Sequence, residues 1–183
     1  GDKIRYFHKE NGGVSSALNV GIKNMVGEYF SWLSHDDMYQ PTKIQKQIEL
    51  LQSLSQEDVI AICLTKHIDK DGRDLDKVSE IKRLEPKVVY DNNKILKHLL
   101  KEFALNGCAL LIPKNVFEKV PLFDEELRYN QDFKMWVNIC LEKFSFVVND
   151  DLGVLSRIHN KQVTQTRRDL MYKDSNTYAQ ELI

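Results

Sequence analysis

The sequence predicts an α/β fold, a mostly parallel sheet flanked by helices. Three observations carry that expectation. Segments with apolar residues at helical spacing alternate with short apolar runs of strand character. The run from Glu28 to Leu33 is aromatic and apolar on both alternating faces, as a strand covered on both sides is. The length, 183 residues, suits one sizeable core in a single domain.

Taken in order, residues 3–9 read as a strand. Gly12 and Gly13 then allow a tight turn into a helix. Val14, Ala17, Leu18, Gly21, Ile22 and Met25 make one face of that helix, and Gly27 is its expected stop. The strand 28–33 follows. Pro41 stands where a first helical residue should, and Ile44, Ile48 and Leu51 form the buried stripe of the next helix. Residues 58–65 predict a strand, and the Asp71-Gly72 pair within 69–74 predicts a hairpin turn. A calcium loop is disfavoured there, because Gly72 comes too early and the flanks are not helical. Helices are expected over 92–103 and 115–120, with a buried strand over 108–112 ended by Pro113. Asn130 should cap a helix that buries Phe133, Trp136, Val137 and Cys140 and continues to Leu141. Two strands, 145–148 and 153–158, and a terminal helix over 167–182 complete the reading.

Bulk properties exclude some functions. The formal net charge is -1 with charges scattered, so nothing favours nucleic acid as a partner. No apolar run is long enough to span a bilayer, and no secretory leader is visible. The three cysteines, Cys63, Cys108 and Cys140, are far apart without ligand spacing. They read as buried reduced thiols, which fits a cytoplasmic compartment.

The chemistry-bearing feature is the pair Asp36-Asp37, just past the strand 28–33. Open α/β sheets bind ligands outside the carboxyl ends of their strands. Paired carboxylates there suit a divalent cation and a phosphorylated ligand. The plainer alternative is that they cap the next turn.

Three stretches add to this: NGGVSSALNVG at residues 11–21 with LSHDD at 33–37 and Pro41 downstream; NGCALLIPKNVFEKVPLFDEELRYNQDFKMW at 106–136; and LSRIHNKQVTQ at 155–165. In this order they resemble the GT-A glycosyltransferases, specifically glycosyltransferase family 2. The resemblance implies a partial GT-A fold, Rossmann-like, in which residues 1–183 are the metal-motif and acceptor-side portion of a catalytic domain. It implies inverting transfer of a sugar from a nucleotide-diphosphate sugar to a saccharide or lipid-linked saccharide hydroxyl, assisted by magnesium or manganese. The expected setting is cytoplasmic, with the parent protein at the inner membrane face for a lipid-linked acceptor. The alternative is a degenerate fragment that binds sugar, nucleotide or a partner chain without turnover.

The chain departs from the family pattern in three places. It begins at the strand leading into the glycine turn, so the nucleotide-base unit is expected to be missing. On that reading the chain alone folds, shows no transfer and self-associates as a homo-oligomer through an uncovered edge. Ser34 replaces the first aspartate of the metal motif, and Gln131 replaces glutamate before Asp132.

The resemblance also assigns roles. Asp37 ligates the metal; Asp36 contacts the ribose, or the metal through water. Asp132 is the base, and its place in the first turn of a helix favours an ionised carboxylate. Against this stands a carboxylate kept there only for helix stability. His159 is a third metal ligand, a phosphate contact or a structural residue. Asn11, Gly12 and Gly13 form a donor-side turn, or a plain one. Lys161, Arg167 and Arg168 close over the diphosphate or are a solvated face.

Overall fold

The computed structural model describes residues 3–78, 84–102, 105–160 and 162. Its elements are α1 (Gly13–Asn24), β1 (Tyr29–Phe30), β2 (Met38–Tyr39), α2 (Lys43–Ser53), β3 (Val59–Ile68), β4 (Asp74–Val78), β5 (Val89–Tyr90), α3 (Asn92–Glu102), β6 (Leu110–Pro113), α4 (Val116–Lys119), α5 (Gln131–Leu141) and β7 (Ser145–Arg157). A 3-10 turn, Gly107–Ala109, leads into β6.

β3 and β7 form the spine. They pair in parallel from Val59↔Ser145 to Ile68↔Arg157. β6 adds to the other side of β3, and β1 adds to β6. β2 and β5 pair along β7, and β4 returns along β3. β3 is a nearly continuous apolar run because helices cover both its faces. Its alternation divides the core. Ile60 and Ile62 point into the larger cluster with Ile95, Leu99, Trp136 and Ile139. Val59 and Ala61 point the other way, to Leu50 of α2 with Leu111 and Val147.

The α/β layering is as expected, but the sheet is mixed rather than mostly parallel. Only β3 and β7 run parallel among the described strands; the other pairings are antiparallel. Burial on both faces does not encode strand direction, and the hairpin between β3 and β4 forces an antiparallel pair. The expected strand 28–33 shrinks to Tyr29–Phe30 at the sheet edge. Its aromatics serve ring packing instead: Phe30 meets Phe117 edge-on at 5.3 Å, and Trp32 stacks on Trp136 at 5.6 Å.

Residues 3–9 are exposed and form no strand, because no described strand pairs with them. The two strands expected over 145–148 and 153–158 are one, β7. The polar residues 149–151 are a bulge: Ile62 faces Val148, while Leu64 already faces Leu152. Asn149 is buried there, donating to the Lys46 carbonyl and accepting from the Asp151 amide. The 69–74 hairpin turn is present, with Gly72 at φ 86°.

α1 ends at Asn24 on an extended Met25, before Gly27. Asn130 takes the N-cap position of α5 in the left-handed conformation (φ 54°), which asparagine tolerates, but makes no side-chain cap. Leu141 ends that helix half-exposed. In α2 the deepest face is Lys43, Gln47 and Leu50, with Ile44, Ile48 and Leu51 half-buried beside it. All three cysteines are buried free thiols. Among the described residues no helix is long and apolar enough to cross a membrane. The expected helix over 167–182, with Lys161, Arg167 and Arg168, lies outside the described residues.

Candidate functional site

The chain leaves β1, turns at Ser34–Asp37 and returns as β2, which pairs with the far end of β7. The turn is closed by the Asp37 amide donating to the Ser34 carbonyl at 3.2 Å. Because β2 lies on β7, the turn meets Arg157, the last residue of that strand. The Arg157 amide donates to Asp37 Oδ1 at 2.9 Å, and its Nε donates to the Asp36 carbonyl at 3.1 Å. The same guanidinium donates to the carbonyls of Asp69 and Lys70, both at 3.0 Å. One side chain thus ties the carboxylate turn to the β3–β4 hairpin.

Just past Arg157 the chain folds back on Asp36. His159 Nε2 lies 3.2 Å from Asp36 Oδ2, and Gln162 Nε2 donates to the same oxygen at 3.3 Å. Burial by itself would raise the Asp36 carboxyl. The bonds from Gln162, its own backbone and His159, with the His35 charge, outweigh that and hold it below the usual carboxylate range. Asp36 is therefore ionised at neutral pH. Asp37 stands beside the Cys108 thiol. Burial raises that thiol, Ser34 opposes the rise, and the Asp37 charge adds to it, so Cys108 stays neutral.

Asp132 lies in the first turn of α5, its Oδ1 accepting from the Phe133 amide at 2.9 Å. One turn on, Trp136 stacks on Trp32 with an interplanar angle of 13°. Trp32 leads into the Ser34–Asp37 turn, so the stack joins the helix carrying Asp132 to the loop carrying Asp36 and Asp37. Phe123 meets both rings edge-on. Contrary to the helix-dipole expectation, the Asp132 carboxyl is raised. Desolvation by burial dominates, and the backbone bonds only partly oppose it.

Asn11, Gly12 and Gly13 open α1. The Gly13 amide donates to Asn11 Oδ1 at 3.1 Å, and Gly13 sits at φ 84°, where a side chain would strain the backbone. A Cβ on Gly12 would come within 2.9 Å of Ser16 Oγ. This turn is exposed, and its link to the rest runs along α1. Buried Asn19 exchanges two bonds with the Phe123 backbone, at 2.8 and 2.9 Å, and donates to Glu125 at 2.9 Å. The structure thus brings Asp36, Asp37 and His159 together, links the helix of Asp132 to their loop through the tryptophan stack, and leaves Asn11–Gly13 exposed at the start of α1.

Arg157, Gln162 and the tryptophan pair organise the site without having been assigned roles from sequence. The arginine was visible in the closing motif. Gln162 lies in the same motif, but its bond to Asp36 joins residues more than a hundred positions apart and left no local signal. As a cation seat, the turn offers two hard carboxylates, one held ionised, with an imidazole alongside. That donor chemistry suits magnesium or manganese. Among the described residues no group of three or more His, Cys, Asp or Glu side chains is arranged to hold an ion. This still fits magnesium, which takes few protein carboxylates and fills its sphere with water and phosphate oxygens.

Comparison with known proteins gives a consistent result. The profile described as glycosyl transferase family 2 matches residues 1–120. An uncharacterized glycosyltransferase of Rickettsia typhi is 45% identical over 166 residues, covering 91% of this chain and 51% of the relative. The minor teichoic acid biosynthesis protein GgaB of Bacillus subtilis is 28% identical over 145 residues, 78% of this chain and 15% of that protein. The crystal structure of S. aureus TarS 1-349 in complex with UDP matches with a TM-score of 0.60 at 15% identity, over 81% of this chain and 41% of that one. At that identity the likeness is one of fold. The chain spans about half the length of its relatives from Rickettsia typhi and Rickettsia prowazekii.

Proposed function

The chain belongs to glycosyl transferase family 2, and we propose on that premise that its protein transfers a sugar, with inversion, from a nucleotide-diphosphate sugar to a hydroxyl of a saccharide or lipid-linked saccharide. The observation that carries this reading is the convergence of Arg157, His159 and Gln162 on the Asp36-Asp37 turn. The end of β7 holds that turn so that one carboxylate stays ionised and its neighbour is fixed beside it.

Asp37, with Asp36 and His159 at hand, would hold magnesium or manganese. When bound, the cation neutralises charge on the diphosphate leaving group. Asp132 takes the acceptor proton. Its burial raises the carboxyl, and a raised carboxylate is a better proton acceptor at neutral pH. As the acceptor oxygen loses its proton to Asp132 and bonds to the anomeric carbon, the bond from that carbon to the diphosphate oxygen breaks on the opposite face. The nucleoside diphosphate leaves with the electron pair. The UDP bound to TarS supports a nucleotide donor of the same class. The reaction belongs in the cytoplasm, at the inner membrane face where the acceptor is lipid-linked.

A second reading, a non-catalytic sugar- or nucleotide-binding protein, draws on Ser34 and Gln131 standing where the family pattern has acidic residues. One experiment separates them. The full-length protein is incubated with a panel of nucleotide-diphosphate sugars and either metal. Metal-dependent release of nucleoside diphosphate from one donor supports transfer. Binding without release under both metals establishes the second reading.

A further inference from the structure

Lys43 is an anomaly on the inner face of α2. It is 2% exposed, yet it stands where a leucine or isoleucine would satisfy the helical pattern. A buried cation is costly unless its hydrogen bonds are met. Here they are met by one small cluster. Lys43 Nζ donates to Ser31 Oγ at 2.9 Å and to the Leu110 carbonyl at 3.2 Å, and lies 4.3 Å from the centre of the Tyr39 ring. Ser31 Oγ is 2.9 Å from the Tyr39 hydroxyl, and that hydroxyl bonds the Trp32 carbonyl.

Two backbone carbonyls set the directions of these bonds. A lysine ammonium only donates and a carbonyl only accepts. Lys43 therefore donates to Ser31 Oγ, Ser31 donates its one hydrogen to the Leu110 carbonyl at 2.7 Å, and Tyr39 donates to the Trp32 carbonyl. The Leu110 carbonyl accepts from both Lys43 and Ser31, and the Tyr39 hydroxyl sits 2.9 Å from Ser31 Oγ. Burial raises the Tyr39 hydroxyl, so it remains a donor at neutral pH. Burial also lowers Lys43 to about 8, which leaves it mostly charged there.

The placement of the cluster is the informative part. Ser31 and Trp32 precede the Asp36-Asp37 turn and Tyr39 follows it, so this cluster closes the neck of the loop that carries both carboxylates. We propose that Lys43, Ser31 and Tyr39 are positioning residues that clamp the neck of the carboxylate loop and hold Asp36 and Asp37 against the end of β7. The clamp stands on geometry; only the kinetic arm of its test rests on the glycosyltransferase reading.

The decisive measurement is amide hydrogen exchange by mass spectrometry on the full-length protein carrying Tyr39→Phe, which removes one oxygen, with Lys43→Met as a second variant. Exchange across residues 31–40 should speed up roughly three- to tenfold in Tyr39→Phe, the scale of one lost hydrogen bond, while β3 residues 60–63 keep the wild-type rate. Unchanged exchange in 31–40, or a uniform rise across loop and sheet, overturns the clamp. If Lys43→Met does not fold, Tyr39→Phe alone decides. In the kinetic arm, Tyr39→Phe should raise the donor KM several-fold with little change in kcat. An equal fall in kcat with unchanged KM contradicts positioning of the donor-side carboxylates. A wild-type protein inactive with every donor would refute the enzymatic reading, and the exchange result would still settle the clamp.

Discussion

The carboxylate turn and the start of α5 place their acids in opposite environments. Asp36 is surrounded by donors: Gln162, the backbone and His159 outweigh the effect of burial and hold it below its ordinary value. Asp132 is enclosed with fewer donors, and burial raises it. Both are aspartates near a helix or turn start, and local sequence makes them look alike. Tertiary surroundings give one a stable charge and the other an affinity for a proton. Such a split suits a site in which one acid faces a cation and phosphate while the other accepts the acceptor's proton.

The contrast can be broken most severely at Asp132. In the full-length protein, Asp132→Asn should lower transfer by about a hundred- to ten-thousand-fold, the usual contribution of a positioned base, and leave donor affinity near wild type. Steady-state rates beside donor calorimetry check this, and unchanged transfer reassigns the base.

The two regions are joined by the Trp32–Trp136 stack, so cutting it tests whether they act as one site. Trp136 is fully buried. Trp136→Ala should cost about 3–5 kcal/mol in chemical denaturation. A loss under about 1 kcal/mol would mean that the stack does not carry the link.

On the turn side, Asp37→Ala should weaken metal-dependent donor binding about tenfold or more and leave metal-independent binding unaffected. Isothermal calorimetry with and without magnesium reads the difference. Wild-type metal-dependent affinity in the variant would remove Asp37 from the cation site.

The smallest effects are in stability against pH, and their signs should be opposite. A lowered folded carboxyl contributes stability that is present above its ordinary value near 3.8 and lost as pH falls through the folded value. Asp36→Asn should therefore destabilise the protein at pH 7, with the difference shrinking on acidification. A raised folded carboxyl contributes stability that is complete below its ordinary value and lost as pH rises through the folded value. Asp132→Asn should thus match wild type in strong acid and be the more stable protein at pH 7. Denaturant midpoints moving the same way for both variants would erase the contrast.

How much of this was legible in sequence depended on whether the determinant was local. The helical face of α5, the buried β6 run and the 69–74 hairpin turn are patterns within ten or so residues, and they match the observed elements. α1 forms as a helix, but it buries Ser15, Ser16, Asn19 and Ile22 while Val14, Ala17 and Gly21 of the expected face are exposed. The Asn19 bonds to the Phe123 backbone turn its polar side inward. Strand direction was not legible, because a run buried on both faces reads alike in a parallel or antiparallel pair. The 149–151 bulge looked like a break because its polar residues interrupt an apolar run, although Asn149 finds its partners inside the protein. Asp36, Asp37 and His159 were visible as residue types in a recognisable order. Their convergence, and the part Gln162 plays in it, is a contact between distant segments. The Asp132 shift was misread for the same reason: the helix dipole is local, and the burial that overrides it is tertiary.

The most direct test of the opposed carboxylates is a carboxyl carbon-13 NMR titration of the folded chain, with Asp36→Asn and Asp132→Asn used to assign the two resonances. Asp36 should titrate below 3.8 and Asp132 clearly above it. Two ordinary titrations, or the reverse order, would contradict the division of labour between the turn and the helix.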